Sequence, residues 1–112
     1  MEVNRTLGDQ DGIAAALSDL GRMKLQRALS DQDAALFQEA FAALAESHAI
    51  FNRIGRLDGI CAVGTVLAQA LALEGRVTEA RAMLGQSLAG FRRLDQPAMI
   101  RHVEELLRGL PD

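Results

Sequence analysis

Glu39 to Arg53 reads EAFAALAESHAIFNR, and 40 residues further on Glu79 to Arg93 reads EARAMLGQSLAGFRR. Eight of the 15 positions are identical: Glu39/Glu79, Ala40/Ala80, Ala42/Ala82, Leu44/Leu84, Ser47/Ser87, Ala49/Ala89, Phe51/Phe91 and Arg53/Arg93. At an offset of 47, GDQDGIAA from Gly8 falls on GRLDGICA from Gly55, and Leu20 reaches Leu67. The offsets differ by seven, so the first copy carries seven extra residues between its two matching segments. A fixed internal period is the mark of a repeat architecture.

Each copy reads as a helical hairpin. In the second, Asp58 is placed to cap a helix over about Gly59 to Glu74, whose Ile60, Val63, Leu67 and Leu71 share one face at spacings of three and four. Gly75 supplies the left-handed residue that ends it, and a second helix runs from about Val77 to Leu94. In the first copy, helices are expected over about Asp11 to Leu29 and Asp31 to Ile54, with Ser30, Asp31, Gln32 and Asp33 forming the turn. The seven extra residues fall at that hairpin's tip and lengthen its arms by about two turns in total. A fifth helix starts near Pro97, a residue suited to a first helical position. Its Ile100, Val103 and Leu107 face inward while Arg101, Glu104, Glu105 and Arg108 face water, as a terminal helix requires. The expected fold is all-α with about five helices. One domain covers 1–112: the tail of a preceding helix over 1–7, hairpin 1 over 8–54, hairpin 2 over 55–94, and a capping helix over 95–110.

These residues resemble the tetratricopeptide repeat family in its longer, 40-residue form. The family's Leu-Gly pair in the first helix is matched by Leu20-Gly21 and Leu67-Ala68. Its closing glycine and recurrent alanine with a large apolar residue four further on are matched by Gly75, Ala80 and Leu84, and by Ala40 and Leu44. The joining segment Leu-Gly-Asp-x-x-Gly resembles Leu7-Gly8-Asp9-Gln10-Asp11-Gly12 and, more loosely, Ile54-Gly55-Arg56-Leu57-Asp58-Gly59. The first copy departs in having no glycine at its turn, and Leu17 and Gly64 replace the family's large aromatic. The resemblance implies antiparallel hairpins stacked as a short right-handed solenoid whose first helices line a concave groove for a protein or peptide segment. On this chain the groove residues would be Ser18, Arg22, Gln26, Thr65, Gln69, His102 and Glu105.

Such stacks need about three units to bury a continuous core. Two and a half are present, and Val3 to Leu7 resembles the end of a second helix just as Asn52-Arg53-Ile54 precedes Gly55. Either the chain is part of a longer array, or an open face at the first hairpin is expected, closed by a partner or by a second copy through Ile13, Leu17, Leu20 and Leu36. Leu29, Ala34, Ala35, Leu36 and Phe37 gather apolar surface at the long hairpin's tip, of the kind that marks interfaces when left uncovered.

Other functions find little support. A net charge of -3 and the lack of Trp and Tyr speak against a nucleic-acid surface. The longest uncharged stretch, Gly59 to Leu73, has 15 residues, short of the ~20 that cross a bilayer. No basic start or apolar run marks a signal peptide, so a cytoplasmic location is expected and the Asn4-Arg5-Thr6 acceptor is read as chance. Cys61 is the single cysteine and reads as a structural thiol; His48 reads as a packed imidazole. Asp9 with Asp11 and Asp31 with Asp33 read as helix-start carboxylates. No phosphate loop, metal-ligand spacing or catalytic set occurs, so neither enzyme activity nor a metal or cofactor is expected.

Overall fold

The computed structural model describes residues 2–111, with side chains from Asp9 onward. Its elements in chain order are α1 (Glu2–Asp31), α2 (Ala34–Ile54), α3 (Leu57–Leu73), α4 (Val77–Arg93) and α5 (Pro97–Gly109), and no strand occurs among the described residues. The protein is thus all-α, with α1 packed on α2, α3 on α4 and α4 on α5. It divides into two compact units, residues 1–56 and residues 57–112.

In the first unit α1 and α2 form an antiparallel hairpin. One stripe of α1 is inward: Ala14, Ser18, Gly21, Leu25 and Ala28, spaced by four, three, four and three, are all buried. Four of these five are small, so the two backbones come close. A Cβ built on Gly21 would lie 2.6 Å from Leu44 Cγ and 3.3 Å from the Ala40 carbonyl oxygen. The buried Ser47 hydroxyl donates to the Ala14 carbonyl at 2.6 Å, tying α2 to α1.

The second unit repeats the device. Ser87, the counterpart of Ser47 at the 40-residue offset, donates to the Cys61 carbonyl at 3.1 Å. Cys61 is the counterpart of Ala14 at the 47-residue offset. Close approach is again marked by a glycine, now on the other helix: a Cβ at Gly90 would collide with Cys61 Sγ. Leu67, Ala68, Leu71, Ala80, Leu84, Phe91 and Val103 are buried in this unit, and α5 packs on α4.

All four connections close the same way. In each, an amide two or three residues past the helix end donates to a carbonyl five residues back: Asp33 to Ala28, Arg56 to Phe51, Arg76 to Leu71 and Gln96 to Phe91, at 2.9 to 3.1 Å. The residue directly before that amide is left-handed, as this motif requires. Gly55 and Gly75 take it without steric cost, whereas Gln32 (φ 53°) and Asp95 (φ 54°) fill it with a side chain. The first hairpin therefore reverses without the glycine its turn lacks in sequence. Asp33 then caps α2, its Oδ1 accepting the Leu36 amide at 3.0 Å. The seven extra residues are helical on both arms: α1 runs five residues past Gln26, the counterpart of the last residue of α3, and α2 starts three before Phe37, the counterpart of the first residue of α4.

Three local expectations are corrected. No connection interrupts Leu7 to Gly12: α1 is one helix of 30 residues through that segment. The glycines there cost only about 1 kcal/mol each as helix residues, and Arg53 to Gln10 (2.9 Å) and Arg56 to Asp11 (2.8 Å) strap the segment to the far end of the hairpin. Asp9 and Asp11 are accordingly mid-helix residues and not start carboxylates. Asp58 lies inside the first turn of α3, which begins at Leu57, so it favours the helix dipole but is not the cap. Met1 and the side chains of Asn4 and Thr6 lie outside the described residues.

Two substitutions test this description. Gln32→Gly should raise stability by about 1 kcal/mol by relieving the left-handed side chain. Gly21→Ala should lower it by about 1–3 kcal/mol through displacement of Leu44. Urea unfolding followed by far-ultraviolet circular dichroism measures both; a neutral Gly21→Ala would refute the close helix contact.

Candidate partner-binding surface

The groove residues implied by the family resemblance do not form one exposed set. Arg22 and Gln26 are exposed one turn apart on α1, and His102 and Glu105 are exposed on α5. Ser18 is only 7% exposed and Thr65 only 3%. Both are corrected from groove contacts to packing residues, because short side chains at these positions face the neighbouring helix. The Thr65 hydroxyl is already used, donating to the Cys61 carbonyl at 2.8 Å within α3. Gln69 is half-buried, its Nε2 donating to the Thr65 carbonyl at 3.3 Å.

The self-association residues fare differently. Ile13 is 48% exposed and Leu20 is 42% exposed, a high value for large apolar side chains on an otherwise well-packed helix. Leu17 and Leu36 are half-buried. At the tip of the hairpin Leu29, Ala34 and Ala35 are exposed, while Leu36 and Phe37 are partly covered.

Two residues of α1 join this surface that sequence reading had not singled out. Ala16 is exposed, and Met23 is the most exposed of the large apolar residues. Ile13, Ala16, Leu20 and Met23 are spaced by three, four and three, so they line one face over three turns. This outer seam is distinct from the inner stripe of Ala14, Ser18, Gly21, Leu25 and Ala28. The spacing was available in the sequence. It was hidden because both stripes obey the same period and only burial separates them. Below Met23 the helix shows a shallow open depression lined by Gln26, Arg27, Ser30 and Asp31.

The groups with chemical potential are occupied structurally. Cys61 is buried, and burial, with Asp58 adding to it, pushes its thiol above the ordinary value, keeping it protonated. His48 is half-buried and its Nδ1 lies 3.2 Å from Asn52 Nδ2. Asp33 is a helix cap, Asp11 is paired with Arg56 at 2.8 Å, and Asp31 lies 3.8 Å from Arg27. Among the described residues no three His, Cys, Asp or Glu side chains are gathered to hold a metal, and no helix is long and apolar enough to cross a membrane. No known protein family, curated protein or solved structure matches the chain.

Burial holds the His48 imidazole below its ordinary value. Unfolded chains then bind the proton more readily than folded ones, so acid favours unfolding. The His48 contribution is full above the unfolded value of about 6.5 and is lost as pH falls from there through the lower folded value. Stability measured by urea unfolding should therefore drop from pH 7 to pH 5 more steeply in the wild type than in His48→Gln, and equal slopes would refute the assignment.

Proposed function

We propose that this protein is a non-catalytic interaction module of tetratricopeptide-like hairpins that takes a protein partner on the outer face of α1. The observation that carries the reading is the seam of Ile13, Ala16, Leu20 and Met23, exposed on a helix whose opposite stripe is fully packed. Apolar side chains aligned in this way are costly to leave in water and mark docking surfaces when contiguous. The groove route is weaker, since two of its seven residues are buried and a third, Gln69, is tied to the Thr65 carbonyl of its own helix. The absence of an expected catalytic set in the sequence and the structural roles of Cys61, Asp11 and Asp33 support a binding role over an enzymatic one. A reduced, buried cysteine suits the cytoplasm, where we place its action.

Affinity capture with three forms of the chain tests the reading. Leu20→Glu should abolish partner recovery, while Arg22→Glu and Gln69→Glu should leave it within about twofold, as substitutions outside a binding hot spot do. Recovery lost with the groove variants and kept with Leu20→Glu would overturn it in favour of the groove.

A further inference from the structure

We infer that the occupant of the α1 face is a second copy of this chain, with the two α1 helices antiparallel and related by a twofold axis beside Ser18. The inference rests on the reading that this face is the docking surface, and adds its partner, direction and register. The apolar seam is the centre of a longer row. Asp9, Ile13, Ala16, Leu20, Met23 and Arg27 follow at intervals of four, three, four, three and four, and all six are exposed. That is the spacing of a coiled-coil seam, in which successive core positions stay turned toward one partner helix. The row spans about 27 Å of helix.

The two ends of the row carry opposite charge, and this fixes the direction. In a parallel pair Asp9 would meet Asp9 and Arg27 would meet Arg27, placing like charges at both ends. In an antiparallel pair the residue numbers of each facing layer sum to 36. Asp9 then meets Arg27 of the second copy, Ile13 meets its Met23, and Ala16 meets its Leu20. Each layer recurs on the other side of the axis, giving six layers. Two are ion pairs closing the ends, and four are apolar. The apolar layers also match in size, the small Ala16 facing the larger Leu20. Arg27 is free to turn: its guanidinium is well exposed, and its only short-range partner among the described contacts is Asp31 at 3.8 Å. Leu17 and Lys24 flank one side of the seam, with Lys24 held by Glu39 at 2.9 Å. Asp19 flanks the other side near the axis and faces its own copy, which weakens the pair and makes it sensitive to salt.

The test is a charge swap read by solution mass, using light scattering with refractive-index detection across a dilution series. The wild type is expected to dimerise, and Leu20→Glu to be monomeric with an unchanged circular-dichroism spectrum. Asp9→Arg and Arg27→Asp each place like charges at both ends and should weaken the dimer by about tenfold or more. The double variant Asp9→Arg/Arg27→Asp should recover wild-type affinity. Mixing the two single variants should produce a heterodimer tighter than either alone, because each then meets opposite charge at both ends. A double variant that stays weak, or single variants that do not prefer each other, would overturn the antiparallel register. A wild type monomeric at every concentration would overturn self-pairing altogether. If capture of another protein still depended on Leu20 in that case, the docking face would stand and only its occupant would change. If neither mass nor capture depended on Leu20, the docking face itself would fall.

Discussion

Each hairpin depends on a buried hydrogen bond between its helices, from a serine on the second helix to a backbone carbonyl on the first. Ser47 reaches the Ala14 carbonyl and Ser87 the Cys61 carbonyl. A serine hydroxyl is short, so the bond exists only where the helix axes are close. Closeness in turn demands alanine, serine or glycine along the contact. This explains why Ala14, Ser18, Gly21 and Ala28 share the inner stripe of α1, and why a glycine stands at the tightest point of each unit. The bond adds about 1 kcal/mol in net terms, but its greater effect is on register. Sliding either helix by one residue would bury a hydroxyl without a partner.

The same bond shows what duplication preserved. Donor and acceptor belong to separate halves of the repeat, which align at different offsets because of the seven extra residues. The pairing survives in both units all the same. The side chains around it are redistributed: the first unit has Ala14 and Ile50 where the second has Cys61 and Gly90. Bulk has moved from the second helix to the first while the close contact was kept.

Much of the fold was legible because several local signals agreed. The 40-residue period, Gly75 and Pro97 all pointed to the same helices, and α4 and α5 lie within a residue of their expected bounds at most ends. The N-terminal part of α1 was not legible. Two glycines and three acidic or amide residues resemble a connection, and the cationic partners that hold them in a helix, Arg53 and Arg56, lie more than 40 residues away. Ser18 and Thr65 were misplaced for a related reason. Small polar side chains read as solvent-facing, yet at close helix crossings they are the residues that fit. Ile13 and Leu20 were expected on the open face together with Leu17 and Leu36, whereas Ala16 and Met23 became visible only when burial divided α1 into two stripes of equal period.

The contact between Cys61 and Gly90 has a practical consequence. The chain has no Trp or Tyr and only one thiol, so the second unit carries a built-in chemical probe and the first carries none. A thiol reagent can attack Cys61 only in molecules where α3 and α4 have parted, since the sulfur rests where a methyl group on Gly90 would stand. Labelling rates therefore count the openings of one half of the protein separately from the other, without adding a dye or altering a residue.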